Sequence, residues 1–159
     1  MDIPSISAVV AAVGVLVGVT LAYLEVRTLA KQRQTDLVMR LYSTFGSKDF
    51  LEARRKVMDL KFEDYSDYVK KYGRFGRFEA VSEVCMFFEG IGVLLHRKLI
   101  DIGLVDDLFS SLVKMTWEKM KPLAEATRKK LNRPQMGEYF EYLYNEIRKR
   151  EQRLQQTQQ

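Results

Sequence analysis

From Ile3 to Leu24 the chain carries no charged residue, and no other stretch restricts its fold so tightly. These 22 residues (IPSISAVVAAVGVLVGVTLAYL) would form a helix about 33 Å long at the α-helical rise. A bilayer's hydrocarbon core is about 30 Å thick, so the run is long enough to cross it. A cleaved signal peptide would carry a basic segment ahead of a shorter apolar core. Here only Met1 and Asp2 come first, and the run ahead of the small pair Thr20 and Ala22 is long. A buried helix of a soluble domain would need both charged flanks to pack in a small protein. The run therefore predicts a membrane span.

Charge predicts its orientation. Asp2 precedes the run, whereas Arg27, Lys31, Arg33 and Arg40 follow it closely, as candidate membrane-surface residues. Basic residues near a span are retained in the cytoplasm. The expectation is a single-pass inner-membrane protein with its N-terminus outside and its domain in the cytoplasm. Within the span, Ser7, Ala11, Gly14, Gly18 and Ala22 fall within an arc of about 80° at helical spacing. Gly14 and Gly18 make a GxxxG, and small residues let two helices approach closely in lipid. This stripe is the candidate helix-pairing face, and Glu25 continues its azimuth beyond the membrane edge.

The remainder of the 159 residues has room for one soluble domain able to bury a core without metal or disulfide. The single cysteine, Cys85, cannot form an intrachain bridge, which fits a reducing compartment. Patterning predicts an all-α chain: an anchor over 1–25, a helical stalk over 26–46, a cytoplasmic bundle of about four to five helices over 47–152, and a disordered tail over 153–159. The stalk segment Lys31–Asp36 is polar all round, and apolar spacing resumes at Leu37, Val38, Leu41, Tyr42 and Phe45. Ser47 is a plausible N-cap for a short amphipathic helix over 48–60 burying Phe50, Leu51, Ala53, Val57 and Leu60. Gly73 and Gly76, with Arg74 and Arg77, mark a turn. Val81, Val84, Cys85, Phe88, Ile91, Gly92 and Leu95 then give the strongest helical stripe, with Phe87 and Leu94 widening it. A further helix over about 102–131 offers Leu104, Leu108, Leu112, Met115 and Leu123, together with Phe109 and Trp117. Pro122 inside it predicts a kink or break. Asn132-Arg133-Pro134 stops it, and a last helix near 135–152 uses Tyr139, Phe140, Leu143, Tyr144 and Ile147.

EARRKV (Glu52–Val57), FFEGIGVLLHRKLID (Phe87–Asp101), Trp117 with Pro122, and EYFEYL (Glu138–Leu143) follow the single span and basic stalk in order. This arrangement resembles the family known as domain of unknown function 4760 over nearly the whole chain. The resemblance implies a short prokaryotic membrane-anchored helical protein, and it implies no activity.

Residue chemistry adds little to that. Glu89 lies about 40° outside the apolar arc of its helix, which predicts a structural carboxylate paired with Arg54, Arg55 or Arg97. A catalytic role would need a partner base or nucleophile, and none is visible. His96, the only histidine, lacks companions for a zinc site and reads as a helix-end residue. Cys85 has apolar neighbours and reads as a small core residue. No cofactor, metal site or phosphate loop is expected, and no enzymatic activity. Residues 101–127 carry 3 basic and 5 acidic groups, residues 128–159 carry 8 and 4. The acids interspersed among the C-terminal basic residues argue against nucleic acid, while the tether makes anionic lipid a candidate contact. The expected role is a protein-interaction module in contact with the bilayer, either a homo-oligomer or an accessory subunit of a membrane complex. The alternative is a membrane-associated stress or phage-defence effector.

Overall fold

The computed structural model describes residues 3–73 and 78–157. Among these the chain forms six helices and no strand: α1 (Ile3–Phe45), α2 (Lys48–Met58), α3 (Tyr65–Tyr72), α4 (Phe78–His96), α5 (Ile102–Leu131) and α6 (Glu138–Thr157). The chain divides into two compact units, Met1–Leu37 and Val38–Gln159. The expected turn at Gly73 begins with a positive φ of 77°, but Arg74, Gly76 and Arg77 lie outside the described residues.

The first unit is a stretch of α1. The helix is long and apolar enough to cross a membrane, and none of its most apolar window is buried by the protein. Its threonines do not leave free hydroxyls. Thr20 donates to the Leu16 carbonyl at 2.8 Å and Thr28 to that of Leu24 at 2.9 Å. Such back-bonding satisfies each hydroxyl within its own helix.

The second unit is built on α4, which packs against α6 and α2, while α5 packs against α6 and α3. Helix α2 starts where expected: the Ser47 hydroxyl accepts the Phe50 N–H at 3.3 Å. Its buried residues are Phe50, Ala53 and Val57, an i, i+3, i+7 stripe. Leu51, expected in that core, is 46% exposed because it lies one residue off the stripe. Aromatic side chains of α2, α4, α5 and α6 form a continuous cluster. Phe50 meets Phe87 at 4.5 Å between ring centroids, Phe87 meets Phe88 at 5.3 Å, and Phe88 stacks on Phe140 at 4.9 Å. Trp117 meets the same Phe140 at 5.0 Å.

The buried line of α5 is Val105, Phe109, Val113, Thr116, Trp117 and Met120. This corrects the expected line of leucines by one residue, about 100° of azimuth. Leu104, Leu108, Leu112 and Leu123 are half-buried flanks, and Met115 is 50% exposed. Phe109 and Trp117 carry the largest apolar surfaces, so their azimuth sets the core face and the leucines border it. Pro122 does not break the helix, which continues to Leu131. The carbonyl that loses its ladder partner belongs to Glu118, an exposed residue, where water can replace the missing donor.

Helix α6 buries Phe140, Leu143 and Ile147 and runs on to Thr157. Residues 153–157 are therefore helical where a disordered tail is expected; Gln158 and Gln159 lie outside the described residues. Glu151 forms an ion pair with Lys114 of α5, and the Arg153 guanidinium reaches the Lys149 carbonyl at 3.3 Å. These contacts hold the late turns, and glutamine is a good helix former.

Candidate functional site

A constellation of polar groups joining three helices surrounds the start of α6. The first backbone N–H groups of a helix have no partner within it. Here Glu89, three turns into α4, supplies two acceptors. Its Oε1 accepts the Tyr139 N–H at 3.2 Å and its Oε2 the Phe140 N–H at 2.7 Å. A carboxylate at a helix N-terminus also meets the positive end of the helix dipole. The flanking donors are satisfied locally, Glu138 by the Gln135 carbonyl at 3.2 Å and Glu141 by that of Gly137 at 3.0 Å.

Gly92 makes this approach possible. A Cβ there would lie 2.0 Å from the Tyr139 carbonyl oxygen and 2.5 Å from its carbon. One turn of α4 thus presents an acceptor at Glu89 and a gap at Gly92, and the backbone of α6 sits in that socket. Gly90, between them, faces open space.

The α5–α6 connection braces the same end. Helix α5 stops at Asn132, whose left-handed backbone (φ 49°) suits asparagine. The Arg128 Nε donates to the Met136 carbonyl at 2.7 Å and its NH1 to Glu141 at 2.6 Å. At the other end of the α5–α6 interface, Arg150 Nε donates to Asp106 Oδ2 at 3.0 Å. Asp106 is nearly buried, and its Oδ1 has no hydrogen-bond partner.

The arrangement corrects one expectation. The sequence predicts that Glu89 pairs with Arg54, Arg55 or Arg97, yet its hydrogen-bond partners are two backbone N–H groups of α6. Both oxygens are engaged in holding a helix end, so the carboxylate acts here as a positioning group. Beside it, burial and then the Glu89 charge push the Cys85 thiol up to about 12. A thiol so raised stays protonated and is a poor nucleophile at neutral pH. His96 is exposed at the last turn of α4, with its ring 5.4 Å from that of Tyr139 and 5.2 Å from that of Tyr142. Among the described residues, no group of three or more His, Cys, Asp or Glu side chains is disposed to hold a metal ion.

Two surface depressions carry charge. One lies between α5 and α6 along Lys114, Glu118, Arg148 and Glu151. There the Tyr144 hydroxyl donates to Glu118 and accepts from Arg148, both at 3.1 Å. The other gathers Asp49, Glu52, Glu79 and Glu83 on α2 and α4. The Lys56 ammonium, 2.9 Å from Glu52, holds that carboxyl below its usual range.

In the first unit, Ala11, Gly14, Gly18 and Ala22 are all exposed along α1. A Cβ on Gly14 or Gly18 would meet nothing within 4 Å. The side chain of Ser7 lies outside the described residues. Arg27, Lys31 and Arg33 are exposed there as well, as is Arg40 in the second unit, and the Arg27 guanidinium sits 5.5 Å from the centre of the Tyr23 ring.

Sequence reasoning missed the roles of Gly92, Arg128, Asp106 and Arg150. For Gly92 a signal exists in the string Glu89-Gly90-Ile91-Gly92, which puts a carboxylate and a glycine one turn apart on adjoining faces of a buried helix. The arginines carry no local mark, because their partners lie 13 and 44 residues away.

A family model described as Domain of unknown function (DUF4760) matches residues 8–147. No curated protein and no solved structure matches the chain.

Proposed function

The chain belongs to the DUF4760 family, and we propose that it acts as a membrane-anchored helical interaction module. In this reading α1 crosses the inner membrane once, the N-terminus lies outside, and the second unit works in the cytoplasm. Its partner is a second copy of the chain or a larger membrane complex to which it is an accessory subunit.

The observation that carries the proposal is the uncovered apolar helix. Val13, Val15, Leu16, Val19 and Leu21 are each more than half exposed. Fully burying one such side chain stabilises by roughly 1.5–3 kcal/mol, so a run of them in water is strongly disfavoured. Lipid or other membrane helices are the surroundings that cover it on every side. The internally bonded threonines and the Tyr23–Arg27 pair at the end of the apolar run fit the same reading, since aromatic and basic residues anchor spans at the interface. The small face of Gly14 and Gly18 is free in the single chain, which leaves it available for a second helix.

The test is extraction of the full chain from native membranes in mild detergent, with the mass of the intact assembly measured. Self-copies or a stoichiometric membrane subunit are expected, and Gly14→Leu with Gly18→Leu should dissociate self-copies. A monomer without a stoichiometric companion overturns the interaction role. A reporter fused after Gln159 that is active only outside the cytoplasm overturns the orientation.

A further inference from the structure

The side of α1 opposite the small residues has its own chemistry at the membrane edge. At about 100° per residue, Tyr23, Arg27 and Lys31 fall within an arc of about 80°. Val13, Leu16 and Thr20 lead up to them on the same face. The small stripe lies diametrically opposite and continues into Glu25 and Asp36. The helix is therefore split, with small and acidic residues on one side and bulky apolar residues running into an aromatic-basic ladder on the other.

Three features suit this ladder to an anion. First, the positions one turn away from Arg27 and Lys31 hold Tyr23, Leu24, Thr28, Ala30, Gln34 and Thr35, so no carboxylate is placed to neutralise either. Arg33 and Arg40 differ, because Asp36 lies at i+3 of one and i−4 of the other. Second, the Tyr23 ring lies 5.5 Å from the Arg27 guanidinium, a cation–π distance that orders the fork of donors. Third, the depth is right. Arg27 lies about 4.5 Å beyond Leu24 along the axis and Lys31 about 10 Å beyond it. Helical side chains lean toward the N-terminus, which here means back toward the apolar run. Their charges therefore converge on the layer between hydrocarbon and water, about 5–8 Å thick on each side of a bilayer.

We propose that Tyr23, Arg27 and Lys31 form a binding site for the phosphate of an anionic phospholipid such as phosphatidylglycerol, in the leaflet on the side of the helical domain. The proposal rests on the membrane-spanning reading above and adds the lipid class that the span selects. Arginine's planar fork matches phosphate oxygens in pairs, and lysine adds a point charge to the same group. Because the small face lies opposite, a helix paired through Gly14 and Gly18 leaves this ladder turned toward lipid.

The experiment places the full chain in nanodiscs of phosphatidylcholine containing one phospholipid in three as phosphatidylglycerol (about 33%, well within an anionic leaflet). Co-elution with the discs reports insertion, and native mass spectrometry of the released protein counts the lipids retained. Phosphatidylglycerol should be enriched over its share of the disc, with a roughly fivefold loss in affinity per basic residue removed. Arg27→Gln with Lys31→Gln should abolish the enrichment. Arg33→Gln with Arg40→Gln, the same change in charge, should keep it. Added inorganic phosphate should leave it unchanged. An inserted wild-type chain that retains both lipids in proportion overturns the site, as do equal losses in the two double variants. Displacement by inorganic phosphate overturns the lipid assignment. A chain that does not co-elute with the discs refutes the span itself, and the site falls with it.

Discussion

Glu89 Oε2 lies 2.7 Å from the backbone nitrogen of Phe140, so a carboxylate in the middle of α4 caps a helix that begins 49 residues later. The two residues are joined a second time through their neighbours, since Phe88 stacks on the Phe140 ring at an interplanar angle of 19°. The cap fixes the start of α6 along its axis while the stacked rings fix its distance from α4. Glu89→Ala should leave the Tyr139 and Phe140 N–H groups without acceptors and destabilise the fold by roughly 2 kcal/mol. Glu89→Gln keeps one acceptor and loses the charge, so about half that loss is expected. Thermal unfolding of the full chain in detergent, followed by helical circular dichroism, ranks the variants. A Glu89→Gln variant as stable as the wild type would show that the charge contributes nothing, and a loss equal to that of Glu89→Ala would show that one neutral acceptor cannot replace the carboxylate.

Gly92 and Gly90 give a paired test of the socket. A Cβ at position 92 would have to displace the Tyr139 backbone, and Gly92→Ala should cost roughly 3 kcal/mol and loosen the start of α6. Gly90 is exposed within the same helix and meets nothing, so Gly90→Ala should stabilise by about 0.5–1 kcal/mol through helix propensity alone. Hydrogen exchange at the first amides of α6 would accelerate in the first variant and not in the second.

Two residues past the end of α4, Lys98 has a φ of 57°, and there the Leu99 N–H reaches back to the Leu94 carbonyl and the Lys98 N–H to that of Leu95, both at 2.9 Å. This six-to-one and five-to-two pattern is the helix stop that glycine usually occupies. Lysine there bears the left-handed penalty of a residue with a Cβ. Lys98→Gly should raise stability by about 1 kcal/mol with no change in the fold. A melting temperature unchanged or lowered would contradict it.

The Cys85 thiol supplies a pH dependence. Its folded value is pushed up to about 12 from an ordinary value of 9.0, chiefly by burial. The folded state therefore holds the proton through a window in which the unfolded chain has released it. Stability from this group is fully present below about pH 9 and declines as pH rises toward 12, by up to about 1.4 kcal/mol per pH unit. The difference in stability between the wild type and Cys85→Ala should show that slope. Maleimide labelling of the native chain should be slow at pH 8 and accelerate on unfolding.

Much of this architecture is legible in single segments, where the cause is local. An uncharged run of 22 residues leaves few alternatives, and Ser47 caps α2 because a hydroxyl three residues ahead of Phe50 can reach its amide. Where the cause is distant, the sequence misleads. Glu89 stands out as a carboxylate beside two phenylalanines, but its acceptor role depends on a backbone 50 residues away, which no composition rule connects. On α5 Phe109 and Trp117 are buried as expected, but the four leucines expected beside them border the core, because in the packed unit the large aromatics set its azimuth. Lys98 is missed because lysine carries no preference for the left-handed backbone that the helix stop imposes on it.

Asp106 and Arg150 tie the start of α5 to the late turns of α6, and their pairing is unequal. The Asp106 side chain is 11% exposed and that of Arg150 30%, so the carboxylate is the more deeply desolvated partner. Only one carboxylate oxygen has a donor, with Oδ1 buried and unpartnered. Removing the arginine leaves a desolvated charge without its counterion, the costly way to break such a pair, whereas removing the aspartate leaves a guanidinium that reaches water and still lies 3.9 Å from the exposed Asp107. Arg150→Gln should therefore destabilise by roughly 2–3 kcal/mol, and Asp106→Asn by about half as much. The double variant should be more stable than Arg150→Gln alone, because the stranded charge is gone. A double-mutant cycle measured by thermal unfolding gives the coupling directly. If the two single losses simply add, the pair is uncoupled, and the polar hold between α5 and α6 falls to Arg128–Glu141 and Lys114–Glu151.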